Sequence, residues 1–248
     1  MRNVTAAFQR FLIAVAFLIT AAAQSAAFTF TPMVTTIAPS GDKRVMTFKV
    51  VNDSSQQIAV AIRVFTRSMD ELGVESNKPA DTLFLVFPAR IVLEPNSAQN
   101  LKLQYRGPSA LSAEAAYRVV AEQLPVDFTK ATSSGVNIML RYMAALYVAP
   151  DKVTANISFI SAVGTKQSDK NGLLVKIKND GTRHAILLNT LLRITQSKGS
   201  STVEISGDSM AEIEGQNVLA KSTRAFFIPW EPAVVGATYE GAFSAEIE

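Results

Sequence analysis

The chain has 248 residues, with 24 Lys plus Arg against 21 Asp plus Glu and no cysteine. Arg2 and Arg10 precede an uncharged apolar run from Phe11 to Ala23 that gives way to Gln24-Ser25-Ala26-Ala27, the layout of a cleaved signal peptide rather than of a membrane span, which takes roughly 20 apolar residues. Without those two cations the balance is 22 against 21, about +1; no basic cluster carries interleaved aromatics, so nucleic-acid binding is not indicated, and an exported chain without cysteine has to be held by packing alone.

From Phe28 the pattern is strands and turns. Phe28-Thr-Phe30 alternates, Pro32 and Pro39-Ser-Gly41 punctuate, and Val45 to Val51 is rich in β-formers. Asn52-Asp-Ser-Ser55 is a turn whose side chains bond the backbone locally. Ile58 to Phe65 alternates again, with Ile58, Val60, Ile62 and Val64 on one face. Asp70 to Asp81, polar with Gly73 and Pro79, reads as a loop. Leu83 to Phe87, Arg90 to Leu93 and Leu101 to Tyr105 follow as short strands, Ser109 to Ala116 as one helical turn, and Tyr117 to Leu124 as a strand closed by Pro125.

Val136 to Val148 is the longest alternating stretch. Val136, Ile138, Leu140, Tyr142, Ala144, Leu146 and Val148 share one face, and Asn137, Met139, Arg141, Met143, Ala145 and Tyr147 the other. It exceeds the usual strand of about five or six residues, so part of it extends beyond what its own sheet needs.

After Pro150-Asp151 the pattern restarts, with strands expected at Ala155 to Val163, Leu173 to Lys178, Ala185 to Thr195, Thr202 to Ile205, Val218 to Ala220, Ala225 to Ile228 and Ala242 to Ile247. Phe48-Lys-Val-Val-Asn52-Asp53 lines up with Val175-Lys-Ile-Lys-Asn179-Asp180, as an internal repeat would. The fold class is therefore all-β, two immunoglobulin-like β-sandwich domains after a cleaved signal peptide: 1–27 signal peptide, 28–149 first domain, 150–248 second domain.

Catalytic groups are sparse. His184, the one histidine, reads as a solvated turn residue at a strand start; there is no thiol, no His pair with metal spacing and no Gly-rich loop opening a helix. Glu212 and Glu214 read as one face of an exposed loop. No enzyme activity, cofactor or metal is expected.

Met46-Thr-Phe-Lys-Val50 with Asn52, the stretch Phe87-Pro88-Ala-Arg90-Ile-Val-Leu93-Glu-Pro95 with Leu101-Lys-Leu103, Tyr117-Arg118-Val-Val-Ala-Glu122-Gln-Leu124-Pro125 and the Val136–Val148 strand resemble, in order and spacing, the periplasmic pilus-assembly chaperones of the chaperone/usher pathway, in their divergent, archaic branch. The resemblance implies a periplasmic chaperone that lends the last strand of its first domain to a pilin or fimbrial subunit lacking one and hands it to an outer-membrane usher. It implies Val136, Ile138 and Leu140 as the donated row. The best-known branch grips the subunit's terminal carboxylate with a basic pair; the corresponding positions here, Thr35 or Thr36 and Ala145, carry no charge. Arg141, Arg90 and Arg118 are the candidate carboxylate anchors, because a guanidinium matches a carboxylate bidentately. Self-association through the donor-strand edge is a further expectation, and the protein is not expected to be membrane-embedded. The rival reading is a structural or adhesive two-domain surface or pilus protein, which requires an N-terminal donor extension and an incomplete sandwich, whereas Phe28 starts a strand almost at the expected cut.

Overall fold

The computed structural model describes residues 28–126, 139–195 and 201–248. The expected signal peptide, 1–27, lies outside them, as do Val136 and Ile138. No helix among the described residues is long and apolar enough to cross a membrane.

The first sandwich begins with β1 (Phe28–Thr31) and β2 (Val34–Ile37), continues through β3 (Val45–Asn52), β4 (Ile58–Thr66), the small hairpin of β5 (Ser68–Met69) and β6 (Glu75–Ser76), then β7 (Phe84–Phe87), β8 (Arg90–Leu93), β9 (Ser97–Tyr105) and β10 (Ala115–Gln123), and closes with β11 (Arg141–Val148). One sheet has the order β1-β3-β9-β7 and the other β2-β11-β10-β4-β8. The chain crosses repeatedly between the two sheets, among other places between β1 and β2 at Pro32 and between β7 and β8 at Pro88. A proline has no N–H for the ladder, so pairing ends at both places. The two inner faces enclose one core, in which Phe30 stacks on Phe48 at 5.0 Å and Phe84 meets Tyr105 and Tyr117 edge-on.

The second sandwich holds β12 (Ile157–Gln167), β13 (Lys170–Asn179), β14 (Ala185–Thr195), β15 (Val203–Ile205), β16 (Asn217–Val218), β17 (Thr223–Pro229) and β18 (Thr238–Ile247). Strand β18 joins its halves: Thr238 and Tyr239 pair with β12, and Glu240 onward pairs with β14. Between the halves lie Leu173, Val175 and Ile177 of β13 against Leu187, Leu192 and Ile194 of β14, with Phe226, Tyr239 and Phe243.

The internal repeat is structural. Asn52 and Asn179 are each fully buried at the end of an equivalent strand. Asn52 donates to the Gln56, Leu93 and Glu94 carbonyls while its Oδ1 accepts from Ser54 N–H; Asn179 donates to Arg183 and Val218 and accepts from Gly181 and Asn156. Each side chain thus ties the turn after its strand to a distant strand.

Several local expectations differ. Ser109 to Ala116 forms no helical turn, since Ala115 and Ala116 already pair with Val148 and Tyr147. The expected loop at Asp70 to Asp81 carries half of the β5–β6 hairpin and a 3-10 turn at Asp81–Leu83. Strand β2 was not expected, because Val34-Thr-Thr-Ile37 lacks alternation.

Candidate functional site

Strand β11 pairs unequally on its two sides. Against β10 it is antiparallel along its whole length, from Arg141↔Glu122 to Val148↔Ala115. Against β2 it is parallel, and only from Ala145↔Val34 to Val148↔Ile37, where Ala145 N–H donates to Met33 O and Ala149 N–H to Ile37 O. Among the described residues, Arg141 to Ala144 therefore have no strand on that edge. Because successive N–H and C=O groups alternate sides, those of Arg141 and Met143 face the open edge, as those of Ala145 face β2.

The inner row follows the expected alternation. Ala144, Leu146 and Val148 are fully buried in the first core, while Tyr142 and Leu140 are only half-buried and pack on its rim. Tyr142 meets Phe28 edge-on at 4.9 Å and donates its hydroxyl to Phe28 O at 2.5 Å. The core opens toward the start of β11. Leu140, the described member of the expected donated row, precedes β11 in irregular backbone, its carbonyl accepting from Gln123 N–H at 3.0 Å.

The outer face places the three arginines. The register runs Arg141↔Glu122↔Ala61↔Arg90, so Arg141 and Arg90 stand in one transverse row, three strand spacings or about 14 Å apart, both exposed. Neither forms an ion pair among the described residues. Arg118 shares that face, opposite Ala145 and four residue pairs further along the ladder toward the second domain. Its Nε donates to Glu75 Oε2 at 3.0 Å, a terminal nitrogen bonds Glu75 Oε1, and its other terminal nitrogen reaches Met143 O at 3.4 Å. Arg67 Nε donates to the same Glu75 at 2.8 Å. Burial pushes the Glu75 carboxyl up, but hydrogen bonds and charge from Arg118 and Arg67 outweigh it and hold the group below its ordinary 4.5.

The end of β11 meets the second domain. Tyr147 OH accepts from Arg67 at 3.0 Å and from Asn217 Nδ2 at 2.7 Å, so one oxygen joins the domains. The Tyr147 ring stacks on His184 at 3.8 Å with planes 7° apart, and His184 Nδ1 lies 2.7 Å from Glu114 Oε1. His184 is 6% exposed, so it is not the solvated turn residue the sequence suggests; its partner and stacking ring both come from the other domain. Glu214 likewise is tied down, accepting from Asn189 and Thr190 N–H. The β5–β6 hairpin braces the second domain too: Glu71 O accepts from Ala225 N–H at 2.6 Å, and Glu71 pairs with Lys176 at 2.6 Å. Beside it lies a cavity of about 540 Å³ lined by Leu72, Gly73, Arg224 and Phe226.

Glu75, Arg67, Glu114 and Tyr147 were not singled out from sequence. One signal was available: the outer face of β11 turns from Arg141 to Ala145 and Tyr147, as a strand whose end is covered would. No group of three or more His, Asp or Glu able to hold a metal occurs among the described residues.

The sequence matches the family described as pili and flagellar-assembly chaperone, PapD N-terminal domain, over residues 28–154. No curated protein sequence matches the chain. The fold is similar to a chain of the CsuC–CsuE chaperone–tip adhesion subunit pre-assembly complex from archaic chaperone-usher Csu pili of Acinetobacter baumannii, with TM-score 0.53 and 16% identity over 81% of this chain and 90% of that one. It is also similar to the E. coli chaperone DraB, with TM-score 0.51 and 16% identity over 90% and 97%. A chain of the Salmonella enterica SafA pilin–SafB chaperone complex gives 0.51 and 15% over 91% and 99%.

Proposed function

Because the chain belongs to the pili and flagellar-assembly chaperones, we propose that it is a periplasmic chaperone that binds pilin or fimbrial subunits by strand donation from β11 and delivers them to an outer-membrane usher. The family is one of chaperones, not of enzymes. Residues 1–27 serve as the export signal, 28–149 as the strand-donating domain and 150–248 as its partner.

The observation that carries the reading is the half-paired strand. Arg141 to Ala144 offer an open edge, directly before Ala145 to Val148, which β2 holds, and the half-buried Leu140 and Tyr142 mark where the core is open. A subunit lacking a strand adds there through backbone hydrogen bonds, with Val136, Ile138 and Leu140 filling its groove. Full burial of each stabilises the complex by about 1.5–3 kcal/mol. The same edge accounts for self-association of the free protein. Arg141 and Arg90 are anchors without an ion pair among the described residues; Arg118 is an anchor already engaged by Glu75. Complexes with a pilin or a tip adhesion subunit among the similar structures support subunits as partners.

The test is binding to a pilin-like subunit purified without its completing strand. Leu140→Asp and Ile138→Asp abolish the complex while the free protein stays folded; a complex that survives both substitutions overturns strand donation. A structural or adhesive surface protein, the rival, would instead polymerise or bind a surface without any such subunit.

A further inference from the structure

Arg224 is a buried cation without a counter-ion. It stands on β17 opposite Ile177, is 5% exposed, and forms no ion pair among the described residues. Its acceptors are all neutral: Nη1 donates to Asn217 O at 2.8 Å and to Met69 Sδ at 3.3 Å, and Nη2 reaches Gln216 Oε1 only at 3.5 Å. Nε has no partner at all. Nε and Nη2 form one of the edges through which a guanidinium holds a carboxylate bidentately, and that edge is the one left short of acceptors. Burial pushes the pKa of the group down; Asp70 opposes this and Arg67 adds to it. A buried charge in this state is stabilised by whatever anion pairs with it.

The same side chain lines the cavity of about 540 Å³ beside the β5–β6 hairpin, a volume within the roughly 300–1,000 Å³ of small-molecule sites. Its walls are apolar. Leu72 comes from the hairpin, Leu174 and Phe227 are a cross-strand pair of β13 and β17, and the Phe226 ring lies 4.8 Å from the Arg224 guanidinium. Gly73 covers the under-bonded edge. Its φ is 88°, and a Cβ there would fall against Nη2 and 3.3 Å from Nε, so the hairpin tip rests on the cation without offering it a side chain. Glu212, exposed to water on the lining, repels an anion from its side and leaves the Arg224 side for one.

We propose that this cavity binds a small carboxylate bearing an apolar chain, with the carboxylate on the Nε–Nη2 edge of Arg224, the tip at Gly73 shifting to admit it, and the chain against Leu72, Leu174 and Phe227. The strand edge Arg141 to Ala144 contributes nothing to the lining, so the ligand is a free small molecule and not the end of an added strand. It touches the hairpin of the first domain and β17 of the second at once, and so holds the two domains together. Nothing in this depends on strand donation.

The probe is sodium octanoate, with octanol lacking the charge and sodium acetate lacking the chain, and the readout is the melting temperature. Octanoate raises that of the parent saturably by about 3 °C or more, in fluorescence and circular dichroism alike, while octanol and acetate at the same concentration do not. Arg224→Met, which keeps the length and removes the charge, loses the gain. Should Arg224→Met fail to fold, Leu174→Asp, at a half-buried wall position, sets a second anion in the cavity and loses it instead. No gain in the parent overturns the site. An equal gain from octanol overturns the carboxylate, and an equal gain from acetate overturns the apolar chain. A gain retained by the folded variant places the ligand elsewhere and overturns the proposal.

Discussion

Tyr147→Phe deletes one oxygen and leaves the ring that stacks on His184. That oxygen accepts from Arg67 and Asn217, and Tyr147 is 1% exposed, so water does not replace it. Each stranded donor costs about 1–3 kcal/mol, which puts the substitution at about 2–6 kcal/mol. For a chain of this size each kcal/mol lowers the melting temperature by about 2–4 °C, so a fall of at least about 4 °C is expected. The single tryptophan, Trp230, packs edge-on against Tyr239 at 5.6 Å in the second domain, so its fluorescence reads that domain while far-UV circular dichroism reads both. In the parent the two signals move together; in Tyr147→Phe they separate, because the oxygen that bonds both Arg67 and Asn217 across the domains is gone and the remaining links are fewer. A melting temperature within about 1 °C of the parent, with coincident signals, would refute this account of the coupling.

Asn52→Ala and Asn179→Ala each strand several buried carbonyl and N–H groups and destabilise by about 2–4 kcal/mol, but only Asn179→Ala shifts the Trp230 transition directly; equal shifts in fluorescence would show that the two turns are not independent. The Glu75 carboxyl, held below its ordinary 4.5, contributes stability that is full above that value and lost as pH falls through its lower folded value. Melting followed between about pH 6 and 3 therefore shows a shallower acid loss in Glu75→Gln than in the parent, and identical profiles would remove Glu75 from the acid response. Arg141→Ala and Arg90→Ala, at exposed positions without ion pairs among the described residues, weaken subunit binding while moving the melting temperature by less than about 2 °C; binding equal to the parent's would take both out of the interface.

What was legible in the sequence is what has a period. The alternation of Leu140, Tyr142, Ala144, Leu146 and Val148 named the inner row of β11, and the paired Asn-Asp turns revealed two equivalent strands through residues that bond their own neighbourhood. What was hidden depends on partners far apart in the chain. Glu114 and His184 are separated by 70 positions and Glu75 and Arg118 by 43, and neither pair leaves a local pattern. Two-residue strands such as β5 and β6 are too short to show alternation, so the hairpin that carries Glu75 looked like a polar loop. The Ala-rich run before Tyr117 looked helical on propensity, yet pairing with β11 took its last two residues into the sheet.

The most direct measurement is backbone amide exchange across residues 136–144, with and without a pilin-like subunit that lacks its completing strand. Strand donation predicts that the edge-facing amides of Arg141 and Met143 slow by about 100-fold or more in the complex, while the β1-β3-β9-β7 sheet is unchanged. Protection confined to another surface, with these amides exchanging as in the free protein, would contradict it.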